Sequence, residues 1–310
     1  MYERRLRGEP EPWTDDPVLT SFRFTNAFRA ADRVSQYLIR NVIYRGPSEP
    51  DEVLFRILLF KFFNKVETWE LLERELGPVE LGAFSPDRAE AVLTAARQRH
   101  TPVYSNAYIV PPVPGTANPK HAGHIRLVSD TIDAGLADRV RATGDLEELF
   151  ELLRRMPGVG GFLAYQFAID IGYSTLVAHD ENDFVVAGPG ALDGLSKVFP
   201  NMNLRDAAQV IRVLTETQDD WFEHLGLQFG GLFGRPLHLI DVQNLFCEVS
   251  KYTRVTHPQY AGVSGRTRIK QTYRPAGALP TPWFPPKWAL TPVAHRCEVG
   301  GAVSGQLALL

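Results

Sequence analysis

The chain has 310 residues, 44% hydrophobic and 22% charged, which excludes whole-chain disorder and is long enough for one large or two small buried cores. No apolar run approaches the roughly 18 residues that span a bilayer. With 33 Lys plus Arg against 36 Asp plus Glu the net charge is −3, which argues against a generally basic DNA-coating protein. Two cysteines, Cys247 and Cys297, supply neither a disulfide framework nor a four-cysteine metal site. The opening MYERRLRGEP lacks the apolar stretch of a secretory signal, so the expectation is a cytoplasmic protein with no membrane segment.

Helical periodicity dominates the chain. In residues 26–44 the apolar positions Phe28, Ala31, Val34, Leu38 and Val42 recur at threes and fours and predict one amphipathic helix. Its other face would carry Arg29, Arg33, Gln36 and Arg40. Residues 52–76 are apolar nearly all round as far as Asn64, which predicts a buried central helix that ends or bends in a polar patch. Ser85, Pro86 and Asp87 have the cap chemistry of a helix start. Residues 101–119, rich in Pro, Gly and Asn, read as a long loop holding Asn106 and Tyr108, and loops of that length are uncommon unless functional. Further helices are predicted over 121–142, 145–156, 162–171, 191–198, 204–217 and 237–253, with a short strand-like run at 184–186. The fold class is therefore all-α. After Tyr273, RPAGALPTPWFPPKWALTP holds six prolines and cannot continue a helix. It either drapes over the body through Trp283, Phe284 and Trp288 or is disordered.

Between two predicted helices stand Pro157, Gly158, Val159, Gly160 and Gly161. The glycines allow a tight turn and leave backbone N–H groups, with the next helix N-terminus, facing outward as an anion site. A helix-hairpin-helix grips DNA phosphate in this way without reading sequence; a plain glycine turn between helices is the bland alternative. The region resembles that of helix-hairpin-helix DNA glycosylases, in which an aspartate at a helix start follows the hairpin. The resemblance implies Asp183, ahead of Asp180, as a carboxylate that stabilises a sugar oxocarbenium and activates water. Gly161 and Phe162 occupy the place where strand-cleaving glycosylases carry a lysine, so Schiff-base chemistry is not expected.

Residues 240–252 predict a helix whose core face is Val242, Leu245, Phe246 and Val249. Asp241, Asn244 and Glu248 share the other stripe, either as a solvated face or as a pocket wall beside Gln243 with two carboxylates two turns apart. The stretch 251–274 follows, with Lys251, Arg254, Arg266, Arg268, Lys270 and Arg274, no acidic residue, and Tyr252, Tyr260 and Tyr273 interleaved. The rest of the chain holds 27 basic residues against 36 acidic ones. Such a strip suits a phosphate backbone, and its rings suit unpaired bases. His121 and His124 lack a third ligand nearby, so neither a metal site nor a cofactor is expected.

Taken together, the strings at 21–44, 54–70, 160–174, 182–199 and 239–258 resemble the alpha-glutamyl/putrescinyl thymine pyrophosphorylase family, over roughly residues 18–273. That family is DNA-glycosylase-like and is linked to hypermodified bases of phage DNA. The resemblance implies two helical lobes around a central cleft: one of about 50–175 with the hairpin at 152–165, one from 1–49 and 176–274, and a proline-rich tail at 275–310. The function expected is a monofunctional DNA glycosylase that excises hydroxymethyl-derived or glucosylated bases from phage DNA as antiphage defence, with Asp183, Glu248 and Asp241 as catalytic candidates. Asn26, Arg29, Arg33, Gln36, Asn64, Asn106, Tyr108, Gln243 and Asn244 would line the pocket. The hairpin residues, with Lys251, Arg254, Arg266, Arg268 and Lys270, would hold the DNA. The alternatives are a transferase that builds hypermodified thymine from activated 5-hydroxymethyluracil in DNA, and a non-enzymatic DNA-binding module. DNA carrying modified bases is the expected partner, and no obligate protein partner is inferred.

Overall fold

Helix follows helix along the chain. The computed structural model describes residues 4, 7–107, 109–117, 119–274 and 281–290. The α-helices are α1 (Pro17–Ser21), α2 (Arg33–Tyr37), α3 (Pro50–Phe63), α4 (Val66–Leu76), α5 (Pro86–Gln98), α6 (Lys120–Asp133) and α7 (Leu136–Arg141). They continue with α8 (Leu146–Arg154), α9 (Gly161–Gly172), α10 (Pro189–Val198), α11 (Ala207–Glu216), α12 (Gln218–His224) and α13 (Leu239–Thr256). No strand occurs among the described residues, so the strand-like run at 184–186 is irregular backbone. No described helix is long and apolar enough to cross a membrane.

The central helix is α3, buried from Val53 to Phe63. Two of its polar residues need partners, because a buried charge is stable only when paired. Arg56, 2% exposed, donates from Nε to the Val42 carbonyl at 2.9 Å and from Nη2 to the Pro47 carbonyl at 2.6 Å, and meets Glu52 at 3.2 Å. Glu52 in turn accepts the Leu81 N–H at 2.9 Å, which ties the next segment to α3. The helix stops at Asn64, which takes a left-handed φ of 47°, and this is the bend that its polarity predicts.

The single helix expected over 26–44 is instead three pieces: a 3₁₀ turn (Arg29–Ala31), α2, and a π-helix (Leu38–Ile43). The break is at Asp32, which is extended and uses its side chain to cap the Val34 N–H at 3.1 Å. A residue with both a capping side chain and extended backbone restarts a helix even inside an amphipathic stretch. The apolar positions still point inward, but Arg29 no longer shares a stripe with Arg33, Gln36 and Arg40. Likewise 121–142 divides at Gly135, whose φ is 72°.

The 101–119 loop is fastened to α6 by His124, which accepts from the Tyr104 hydroxyl at 2.9 Å through Nδ1 and donates from Nε2 to the Pro111 carbonyl at 2.8 Å. Burial pushes its pKa down to about 4, so the ring is neutral in this role. His121 faces Thr94 and Arg97 at 2.8 and 3.2 Å, so both histidines act as structural fasteners.

Helices α10 and α13 cross in close backbone contact at two glycines. A Cβ on Gly194 would lie 2.0 Å from the Phe246 carbonyl oxygen, and one on Gly190 3.0 Å from Cys247 Sγ. Buried apolar side chains from Phe28 to Phe284 form one contiguous cluster. Phe284 belongs to a segment, 281–290, that drapes over the body. Gln36 clamps it, donating to the Trp283 carbonyl at 3.1 Å and accepting the Trp283 N–H at 2.7 Å. Trp283 also meets Tyr44 edge-on. Residues 275–280 and 291–310, with Cys297, lie outside the described residues.

Candidate functional site

Charged side chains from distant parts of the chain converge inside the molecule. Asp170, on α9 and 0% exposed, lies between two cations: Arg29 Nη2 at 2.8 Å from one oxygen and Lys61 Nζ at 2.6 Å from the other. Lys61 also donates to Asn64 Oδ1 at 2.8 Å. The Arg29 backbone N–H donates to Asp241 Oδ1 at 2.7 Å, and Asp241 Oδ2 accepts the His238 N–H at 3.0 Å, closing the start of α13. Glu181 is ion-paired with Arg235, whose Nη2 is 3.0 Å from His238 Nδ1. Tyr165 and Tyr173 are sealed alongside.

Burial raises both outer carboxyls, Glu181 to about 7 and Asp241 to about 6, with Arg235 and Arg29 opposing the rise. Burial and Arg235 together push His238 down to about 4. Tyr173 Oη, Glu181 Oε1 and Gln243 Oε1 are among the buried atoms with no hydrogen-bond partner among the described residues. Residues 281–290 cover this region. The Arg235 guanidinium lies over the Trp288 ring at 3.9 Å, and Trp288 meets Tyr173 edge-on at 5.5 Å. Carboxyls that titrate near neutrality beside fixed cations can exchange a proton with a hydroxyl and orient a planar polar group.

Of the residues predicted for the pocket, Arg29 and Asn64 join this cluster, as does the catalytic candidate Asp241. Gln243 is buried on α13, donating to Cys247 Sγ at 3.2 Å. Gln36 turns toward Trp283 instead, and Asn26 accepts the Phe28 N–H at 3.0 Å in a local turn. Arg33 and Asn106 are exposed, Asn244 is half-buried, and Tyr108 lies outside the described residues. Glu248 accepts from Thr25 N at 3.2 Å and pairs with Lys251 at 2.7 Å.

Asp183 is exposed, and its carboxylate accepts the Asp180 N–H at 3.1 Å. It sits in a turn well ahead of Pro189, where α10 begins, on the rim of a surface depression of about 450 Å³ that also includes Arg141, Thr143, His179 and Asp180. Asp170, Lys61, Glu181, Arg235, His238 and Tyr173 were not among the candidates. Lone ionisable residues in the apolar runs LFRILLFKFF and FLAYQFAIDIG were the available signal, since such residues stay buried only when paired.

The hairpin between α8 and α9 packs through Met156 and Val159, which are buried. Gly158 has a φ of 78°, while Gly160 faces open space. Of the basic strip, Lys251 and Arg254 are taken up by the fold. Lys251 donates to the Arg23 carbonyl at 3.0 Å, and Arg254 donates to Ser250 Oγ at 3.0 Å and to the Arg268 carbonyl at 3.3 Å. Arg266, Arg268, Lys270 and Arg274 are exposed. Their loop is rooted on Asp193, 1% exposed, which accepts Ser250 Oγ–H at 2.5 Å and Ser264 N–H at 2.7 Å and pairs with Lys197 at 3.3 Å. Burial pushes the Asp193 carboxyl up, but the hydrogen bonds from Ser250 and Ser264 and the Lys197 charge outweigh it and hold the pKa at about 2. The far end is held by Tyr273 N–H on the Ser21 carbonyl at 2.9 Å.

Residues 1–262 match the family model described as 5-hmdU DNA kinase, helical domain. A 5-hmdU DNA kinase of Bacillus phage SP10 is 28% identical over 273 residues, 81% of this chain and 42% of that protein. The chain thus spans less than half the length of that relative. No solved structure matches. These matches overturn the expected DNA glycosylase and with it the hydrolase and excision readings. A kinase, as that relative is named, moves a phosphoryl group and leaves the glycosidic bond intact, so the matches lend no support to oxocarbenium chemistry. The link to modified bases of phage DNA stands in that coarser form, and the matching model is described by a 5-hmdU DNA kinase rather than by a pyrophosphorylase. With most of its length inside the match, the chain belongs to the family of the 5-hmdU DNA kinase helical domain.

Proposed function

We propose that this chain holds DNA containing 5-hydroxymethyluracil and presents the exocyclic hydroxymethyl group of that base for group transfer. The observation that carries the reading is the set of exposed cations Arg266, Arg268, Lys270 and Arg274 on a loop anchored through Asp193 to α10 and α13. The opposite end of α13 is built into the buried cluster through Asp241. Strip and cluster are thereby joined by one rigid helix, an arrangement suited to holding a backbone while a base leaves the stack. Tyr260 and Tyr273, 53% and 49% exposed, are placed to stack on unpaired bases. The hairpin 157–161 is a second phosphate contact in this reading.

In phosphoryl transfer the hydroxymethyl oxygen forms a bond to phosphorus as the bond from phosphorus to the donor's leaving oxygen breaks. The hydroxyl proton passes to a base, and the bond between sugar and base is untouched. The test is fluorescence anisotropy with two oligonucleotides that differ only in one 5-hydroxymethyldeoxyuridine replacing thymidine. Tighter binding of the modified strand, weakening steeply with salt, is expected. Equal affinity for both, or no binding, overturns the reading.

A further inference from the structure

Trp288 occupies a slot with the properties of a base-binding site. Its ring is covered on one face by the Arg235 guanidinium at 3.9 Å, touched at the edge by Tyr173 at 5.5 Å, and flanked by Phe284 at 6.2 Å. Face-on guanidinium and edge-on aromatic contacts are what a protein uses to hold a flat heterocycle. Behind the slot, Tyr173 Oη and Glu181 Oε1 are buried without partners. Buried polar atoms are rarely left so, and each asks for a hydrogen-bonding group from elsewhere. A uracil edge offers two carbonyl acceptors and an N–H donor, and a 5-hydroxymethyl arm adds a hydroxyl.

The cover can leave without dismantling the helices. Segment 281–290 is held by the two Gln36 bonds to Trp283, by Lys287 Nζ on the Ser174 and Val177 carbonyls at 2.8 and 2.9 Å, and by its apolar rings. Its own backbone bonds are those of one short turn, Trp288 N–H to Pro285 and Ala289 N–H to Pro286. A segment whose backbone bonds are those of one short turn can open without breaking the helices it covers, at the cost of uncovering Phe284 and its tryptophans.

We propose that the slot filled by Trp288 is the receiving site for a flipped 5-hydroxymethylpyrimidine, read by Tyr173, Glu181 and Arg235, with residues 281–290 as its displaceable cover. This rests on the DNA-holding reading above and adds to it the site where the base goes. Thymine, which lacks the hydroxyl, would leave one of the orphaned atoms unpaired and be discriminated against on that ground.

Hydrogen exchange on the unaltered full chain tests the displacement directly. The amides of Trp288 and Ala289 should lose protection when the 5-hydroxymethyldeoxyuridine oligonucleotide is added, and keep it with the thymidine oligonucleotide. In parallel, Trp288→Ala should tighten binding of the modified strand about tenfold, the size of one base-stacking contact. Tyr173→Phe in that background should remove the preference for the modified base without changing affinity for the thymidine strand. Strip-dependent binding of DNA with unchanged amide protection and no effect of Trp288→Ala overturns the slot while leaving the DNA-holding reading intact. No binding of either strand overturns both.

Discussion

The guanidinium of Arg29 and the carboxylate of Asp170 meet at 2.8 Å although 141 residues separate them in sequence. Lys61 takes the other oxygen of the same carboxylate, so one anion fixes the N-terminal segment, α3 and α9 to each other. Replacing it with an amide keeps the shape but leaves two sealed cations without their counter-charge. Asp170→Asn is therefore expected to lower the unfolding free energy by about 3–5 kcal/mol, the range for breaking a buried pair. Urea unfolding monitored by circular dichroism measures this, and a loss under about 1 kcal/mol would contradict the assigned pairing.

The crossing of α10 on α13 gives a second, purely steric prediction. Gly194→Ala would put its Cβ 2.0 Å from a backbone carbonyl, that of Phe246, and backbone cannot swing aside. The helices must separate, so a loss of more than about 3 kcal/mol is expected. Gly190→Ala meets only the Cys247 side chain, at 3.0 Å, and should be milder. Thermal melts of the two variants should rank them in that order.

The elements that were legible in the sequence are those dictated by local chemistry. The all-round apolar run of α3, its stop at Asn64 and the Ser85 cap all follow from neighbouring residues. What was not legible depends on distant partners or on local competition. At Asp32 a side-chain cap overrode an unbroken apolar period. Gln36, read as facing a pocket, is claimed by Trp283, 247 residues away. Asp183 stood out by its place after the hairpin, yet its carboxylate is occupied within its own turn. Glu181 and Arg235 carry no helical period at all, since they sit in irregular segments, the first of them tied down where Asn182 accepts the Leu239 N–H and the Arg212 guanidinium.

The raised carboxyls carry a pH dependence of definite sign. A carboxyl whose pKa is higher in the folded chain binds more protons folded than unfolded, so stability falls as pH rises between the two values. For Glu181 that window runs from its ordinary 4.5 to about 7, and for Asp241 from 3.8 to about 6. The Glu181 and Asp241 contributions decline from pH 5 to pH 7, while His124 and His238, pushed down to about 4, contribute stability that rises over the same range. The Glu181 part is therefore read as a difference: Glu181→Gln should make the unfolding free energy climb more steeply with pH above pH 5. Urea midpoints at half-unit pH intervals for the two proteins provide the comparison; parallel slopes would show that Glu181 titrates normally.

The strip allows charge and structure to be separated. Arg266, Arg268 and Lys270 are exposed, so changing all three to alanine should alter stability by about 0.5 kcal/mol or less each. If they lie on phosphates, the same change should reduce the slope of log K against log salt by about 0.9 per contact on duplex DNA. Lys251→Ala should behave in the opposite way, because its ammonium joins the Arg23 carbonyl to Glu248. It is expected to lower the melting temperature while moving the salt slope little. Anisotropy titrations over a range of salt concentrations, paired with melts of each variant, distinguish the two roles. A triple variant that melts early but keeps the full salt slope would place these side chains in the scaffold and take the DNA backbone elsewhere on the surface.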